Sequence, residues 1–216
     1  MNVIHRFGFT KAEFFFRGDC AKDEMGAYAI YEEMSASPTA VHSANANLAY
    51  GLLPGHKSTQ ADAVRAYIQS VLKGRETWVQ VPRELWPPEW HTRGFQKPMC
   101  LLYKSLYGHP DSGGYWERHL TKALEKLGGI PVEGHSSSFW FEKRELLLTV
   151  YVDDLLLSGP EGQHTRFWND LRAGPEGIKI EDPEPLGRFL GRQHLVSDVP
   201  FEPSPQLQKP ADGKSE

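Results

Sequence analysis

From Leu146 to Gly159 the chain reads Leu-Leu-Leu-Thr-Val-Tyr-Val-Asp-Asp-Leu-Leu-Leu-Ser-Gly, two short apolar runs with adjacent carboxylates between them. Each run has the length of a strand and is too short for a buried helix. The sequence therefore predicts a hairpin with Asp153 and Asp154 at its tip. Charge on such a tip is costly unless water or a cation meets it. Hard divalent cations take oxygen ligands, and phosphoryl-transfer sites hold them with few protein carboxylates plus substrate phosphates. Aspartate is also a favoured turn residue, so the pair alone fits an ordinary turn equally well.

Around this hairpin the punctuation predicts further elements. A helical pattern runs from about Val41 to Leu52 and stops near Pro54-Gly55. Asp111 to Leu127 reads as an amphipathic helix, with Asp111 or Ser112 as cap, a buried stripe of Trp116, Leu120, Ala123, Leu124 and Leu127, and Gly128 past its end. Phe14 to Phe16, Ser137 to Lys143, Leu146 to Tyr151 and Leu155 to Ser158 read as strands, and Phe167, Trp168 and Leu171 as one face of a short helix. Prolines 82, 87, 88 and 98 mark residues 82–98 as loop, and the polar, Pro-rich stretch from Ser197 to Glu216 reads as a disordered tail. Mixed strands and helices with segregated hairpins predict an α+β fold.

Composition sets outer bounds. A chain of 216 residues with 39% hydrophobic content, six Trp and eleven Phe can bury one good core. No apolar run approaches a membrane span, and Met1 to Arg6 lacks a signal-peptide core, so no membrane partner is expected. Two cysteines, Cys20 and Cys100, fit a reducing, intracellular compartment, cytoplasmic or nuclear. The net charge of −4 is low for a nucleic-acid binder, but the charge is segregated. Between His91 and Lys122, Arg93, Lys97, Lys104, Arg118 and Lys122 outnumber Asp111 and Glu117 by three, while residues from Ala173 onward carry eight acids and five bases.

Tyr151-Val152-Asp153-Asp154 resembles the signature of reverse transcriptases. Outward from it, Leu186-Gly187-Arg188-Phe189-Leu190-Gly191, Lys104-Ser105-Leu106-Tyr107-Gly108 with Tyr115-Trp116, Asp62-Ala63-Val64-Arg65-Ala66-Tyr67-Ile68, and Trp78-Val79-Gln80-Val81-Pro82 resemble blocks of copia-type retrotransposon polymerases. The blocks come in the family's order over roughly residues 60–195. The resemblance implies a reverse-transcriptase-like palm, an antiparallel sheet packed on helices, with a partial fingers subdomain. Residues 1–57 would be the fingers-like segment, 58–195 the palm with a finger insertion, and 196–216 the tail.

The same resemblance implies an RNA-directed DNA polymerase that adds deoxynucleotides to a primer 3′-hydroxyl with two metal ions. Asp62, Asp153 and Asp154 would be the catalytic carboxylates and the ligands of Mg²⁺ or Mn²⁺. Without the family, Asp62 would be read as a helix N-cap ahead of Ala63 to Leu72. Lys11, Arg17, Tyr67, Tyr107 and Gly108 would contact the nucleotide, with Tyr67 under its sugar and Trp116 a core anchor. The run from Lys11 to Asp19 matches the family's fingers strand only in part, because Glu13 stands where an Arg is usual. His109-Pro110-Asp111-Ser112-Gly113-Gly114 replaces the family's Leu-Lys-Gln-x-Pro. Expected partners are an RNA or DNA template with primer, deoxynucleoside triphosphates, and the thumb and ribonuclease H of a Pol polyprotein, which the chain stops short of. Two other readings stand beside this one. The chain could be an inactive retroelement remnant that folds and at most binds nucleic acid, or an α+β binding module whose Tyr-Val-Asp-Asp is coincidence.

Overall fold

The strand-length apolar runs and the amphipathic helical stripe read from the sequence resolve into a mixed chain of helices and antiparallel sheets. The structure is a computed structural model and describes residues 15–18, 21–22, 25–26, 39–173 and 177–197. In chain order the elements are α1 (Val41–Gly51), β1 (His56–Asp62), α2 (Ala66–Gln69), β2 (Trp78–Gln80), α3 (Pro88–Thr92), β3 (Met99–Leu101), α4 (Ser112–Lys126), β4 (Ile130–Pro131), β5 (Ser138–Phe141), β6 (Leu146–Tyr151), β7 (Asp154–Pro160), α5 (His164–Arg172), β8 (Glu184–Pro185), β9 (Arg188–Phe189) and β10 (Arg192–Gln193).

Six strands form one sheet in the order β4-β5-β6-β7-β1-β8, and every neighbouring pair is antiparallel. The leucine runs are continuous because the centre of this sheet is covered on both faces. Leu146, Leu148, Val150, Leu155 and Leu157 point to one face, where they pack with Trp116, Leu120 and Leu124 of α4 and Phe167 and Leu171 of α5. Each such side chain contributes on the order of 1.5–3 kcal/mol of transfer free energy when fully buried. Leu156 points the other way, onto Ala44 of α1 and Phe189 of β9.

The second face is closed by small and polar groups. Asn47 of α1 is fully buried, and its Nδ2 donates to Leu147 O, Thr149 Oγ1 and Leu156 O at 2.9–3.2 Å. Ser58 and Ser158 share a hydrogen bond of 2.7 Å beneath Gly51, where a Cβ would collide with Ser58 Oγ. This is why α1 ends in glycine: its last turn lies directly on the sheet.

Several expectations need correction. Residues 82–98 contain a 3₁₀ turn, Arg83–Leu85, and the short helix α3, whose prolines sit at the helix start, where a missing N–H costs nothing. Neither Asp111 nor Ser112 caps α4 through its side chain; Ser112 Oγ instead donates to Leu106 O at 2.8 Å. Phe15, Phe16 and Arg17 lie in no strand, although Phe16 N–H donates to Tyr107 O at 2.6 Å. Lys11, Glu13 and Phe14, and the expected tail from residue 198, lie outside the described residues. Among the described residues no helix is long and apolar enough to cross a membrane.

Candidate functional site

β6 and β7 are joined through two residues, Val152 and Asp153, with Tyr151 paired to Asp154 across the hairpin. Two-residue hairpin loops take primed turns, in which the first central residue has positive φ. Val152 has φ +57°, and Asp153 is not among the positive-φ residues, a pattern that fits type II′. Glycine normally fills that first position. For a β-branched side chain the left-handed region is an outlier, with a cost of order 1–3 kcal/mol.

Both carbonyls of this turn are bonded. Trp116 Nε1–H donates to Val152 O at 2.6 Å, and Ala63 N–H donates to Asp153 O at 2.8 Å. The second bond brings in β1, which runs antiparallel to β7 with Asp62 directly opposite Asp154. Directly opposed residues project to the same face of a sheet. Asp62 thus closes β1 as a strand residue; the helix N-cap alternative does not occur, since α2 starts at Ala66 with Arg65 as its cap residue.

A third segment completes this edge. Glu181 N–H donates to Asp62 O and Val64 N–H to Lys179 O, both at 2.8 Å, while Ala63 bridges Ile180. Arg172 Nη2 holds the same segment through Ile180 O, Glu181 O and the Asp182 carboxylate. Glu181 and Glu184 consequently stand near Asp62, a contribution the sequence reading missed. The accumulation of acids after Ala173 was its one visible trace.

Burial and, after it, charge crowding show in the acidities. Desolvation, followed by Asp153 and Asp62, raises the Asp154 pKa from 3.8 to about 6. Asp62 is exposed at its outer side yet partly screened from water; its pKa is raised by that desolvation, then by Glu181, Asp153 and Glu184. Carboxylates that repel in this way gain from a cation between them. An all-oxygen donor set suits a hard divalent ion such as Mg²⁺. Among the described residues, however, no group of three or more His, Cys, Asp or Glu side chains stands arranged to enclose a metal ion. The carboxylates share one edge and one field, and do not form a closed ligand cage by themselves.

Tyr67 follows on α2, half-buried, with its ring 4.4 Å from that of Tyr107 at 60°. Burial, then Asp153, raises its phenol pKa. The Lys104–Gly108 run reaches this point because it is fastened to α2: Ser70 Oγ donates to Ser105 Oγ at 2.9 Å, and Lys104 Nζ to Gln69 O at 3.1 Å. Gly108, at φ +86°, lies against Phe16, whose carbonyl would collide with any Cβ there. Glycine is needed at that position for close backbone approach. Arg17 is exposed on the segment that includes Phe16, and Lys11 lies outside the described residues. The structure thus gathers Asp62, Asp153, Asp154 and Tyr67 with Tyr107, while Gly108 backs onto the N-terminal segment. Beside the turn, Tyr67, Trp116, Leu120, Phe139, Val150 and Val152 help line a mostly apolar cavity of ≈ 210 Å³.

No protein-family model matches the chain. It is homologous to Gag-Pol polyproteins of Saccharomyces cerevisiae Ty1, a copia-type retrotransposon. It is 29% identical to the Ty1-MR1 polyprotein over 153 residues, 70% of this chain, and 29% identical to the Ty1-DR5 polyprotein over 174 residues, 80% of this chain. The chain spans 8% of the length of either relative. This relation supports a retrotransposon origin and bears out that part of the resemblance read from the motifs. Among solved structures, a telomerase from Candida albicans with a telomeric RNA fragment aligns over 69% of this chain and 30% of that one, at 12% identity and a TM-score of 0.33.

Proposed function

We propose that the chain is the reverse transcriptase core of a copia-type retroelement, a palm with part of its fingers. It would add deoxynucleotides to a primer 3′-hydroxyl on an RNA or DNA template. One observation carries this reading: Asp62 and Asp154 oppose each other across β1 and β7 while Asp153 occupies the adjoining turn, so residues far apart in sequence bring three carboxylates to one end of the sheet. The similarity to Gag-Pol polyproteins adds support.

Asp62, Asp153 and Asp154 would hold Mg²⁺ or Mn²⁺. When bound, such ions stabilise charge on attacking and leaving oxygens of a phosphoryl transfer. An incomplete carboxylate cage agrees with this role, because substrate phosphates supply the remaining ligands in sites of this kind. Tyr67 would lie under the incoming sugar. Arg17, Lys11, Tyr107 and Gly108 are proposed nucleotide contacts, with the rest of a Pol polyprotein as the natural partner.

A second reading, an inactive remnant, is favoured by the covering of Gly108, a proposed nucleotide contact, by Phe16. Primer extension on an RNA template with Mg²⁺ and with Mn²⁺ separates the two. Extension by the wild type that Asp153→Asn abolishes supports the polymerase. No extension with either ion, even when a thumb-bearing segment of a relative is fused on, supports the remnant.

A further inference from the structure

We infer that Trp116 is a positioning residue for the carboxylate hairpin, its indole N–H latching the strained Val152-Asp153 turn in the conformation that presents Asp153 and Asp154. For what the carboxylates do this rests on the polymerase reading; the latch itself does not depend on it.

A non-glycine residue at positive φ persists only where its surroundings over-determine it. Packing does not do this for Val152, which lines the ≈ 210 Å³ cavity together with Phe139, Leu120 and Val150. The turn is held through its backbone instead. Val152 O accepts the Trp116 indole at 2.6 Å, and Asp153 O accepts Ala63 N–H at 2.8 Å. The two bonds come from different elements, one from α4 and one from the chain just past Asp62. Together they fix the orientation of the turn's peptide groups relative to all three carboxylates.

Trp116 suits this task because its ring is buried. It is 2% exposed within the core beside β6 and β7, and its N–H reaches the turn. Indole N–H is a donor with no acceptor role, so it offers the turn one arrangement. Without it, the strain at Val152 is opposed by one bond fewer, and the turn opens more readily. The peptide between Val152 and Asp153 then rotates, and the Ala63 bond and the Asp153 carboxylate move with it.

A double-mutant cycle on Trp116→Phe and Val152→Gly tests this. The Ala63 amide, which bonds Asp153 O, reports turn opening by hydrogen exchange, with Leu148 inside the sheet as control. Losing a single hydrogen bond predicts roughly 3–10-fold faster Ala63 exchange in Trp116→Phe, with Leu148 unchanged. Val152→Gly added to it should restore Ala63 protection, because glycine holds positive φ without strain. In primer extension the same variant should lower kcat by about the same factor with KM for the nucleotide nearly unchanged, and Val152→Gly should recover it.

Wild-type Ala63 exchange in Trp116→Phe, or faster exchange that Val152→Gly leaves uncorrected, overturns the latch. If the wild type extends no primer, the polymerase reading fails while the exchange cycle still decides the latch. Should Trp116→Phe not fold, β-(3-benzothienyl)alanine at position 116 keeps the ring shape and lacks the N–H. The same outcomes then apply to it.

Discussion

Asp62 faces Asp154 directly across the antiparallel pair of β1 and β7, at the end of each strand nearest the Val152-Asp153 turn. Like charges directly opposed in a sheet destabilise it. Folding alone does not call for that arrangement, and a cation held there, as proposed, would offset its cost. Thermal melts with and without Mg²⁺ check this. Mg²⁺ at tenfold its dissociation constant should stabilise the wild type by about 1.4 kcal/mol. Asp153→Asn and Asp62→Asn should gain much less, and an equal gain in wild type and variants would argue that these residues hold no ion.

The raised acidity of Asp154 fixes the sign of a pH effect in metal-free protein. Its pKa moves from 3.8 to about 6, so the folded chain binds this proton more tightly than the unfolded chain does. The favourable contribution is complete below about pH 3.8 and is lost as pH rises through about 6. Asp154→Asn removes the charge. In chelator-treated samples it should therefore be more stable than wild type above pH 6, on the order of 1–2 kcal/mol after allowing for solvent screening, and should converge with it near pH 4. Urea melts across that range provide the comparison. A constant offset would assign the effect to packing.

Local pattern was enough to read the hairpin and α4. Leu146 to Tyr151 is an apolar run of strand length, Trp116, Leu120, Ala123 and Leu124 recur at helical spacing, and the burial of both agrees. What stayed hidden depends on contacts between distant residues. No pattern in Val152 announces φ +57°, because valine avoids that region and the two-residue turn between β6 and β7, held from α4 and from Ala63, imposes it. Glu181 reaches Asp62 through backbone bonds spanning more than a hundred residues. Phe16 covers Gly108 for a similar reason, and the glycine there answers to a neighbouring carbonyl. The short helix α3 was missed because its prolines signal a loop as readily as a helix start.

A buried polar chain ties α5 to the sheet. Trp168 Nε1–H donates to Thr59 Oγ1 at 2.9 Å, and Thr59 Oγ1 lies 2.8 Å from His164 Nδ1. Gly159 O can only accept, so His164 Nε2–H donates to it at 3.1 Å, and in the neutral ring Nδ1 is then the acceptor of the Thr59 hydroxyl. Burial lowers the His164 pKa, in keeping with this neutral tautomer. Thr59→Val keeps the shape and strands two buried partners, so it should cost about 2–4 kcal/mol. Thr59→Ser should recover most of that in urea melts. An indifferent Thr59→Val would show that the chain carries little stability.

Tyr67 offers a test that separates sugar selection from packing. It is half-buried, touches Tyr107 at 4.4 Å between ring centroids, and lies in the field of Asp153. Truncation of a fully buried aromatic residue costs roughly 3–5 kcal/mol, and a half-exposed ring should lose about 2–3. Tyr67→Ala should show that loss in any case. If the ring also stands under the incoming sugar, its removal takes away a clash with a 2′-hydroxyl and leaves the carboxylates in place. The ratio of kcat/KM for ribonucleotides over deoxyribonucleotides should then rise by at least tenfold, about 1.4 kcal/mol of discrimination. Tyr67→Phe should keep the wild-type ratio, since the ring and not the hydroxyl blocks the sugar. An active Tyr67→Ala enzyme with unchanged preference would leave Tyr67 as a packing residue for Tyr107 and the cavity wall, and sugar choice would then have to be sought in another residue.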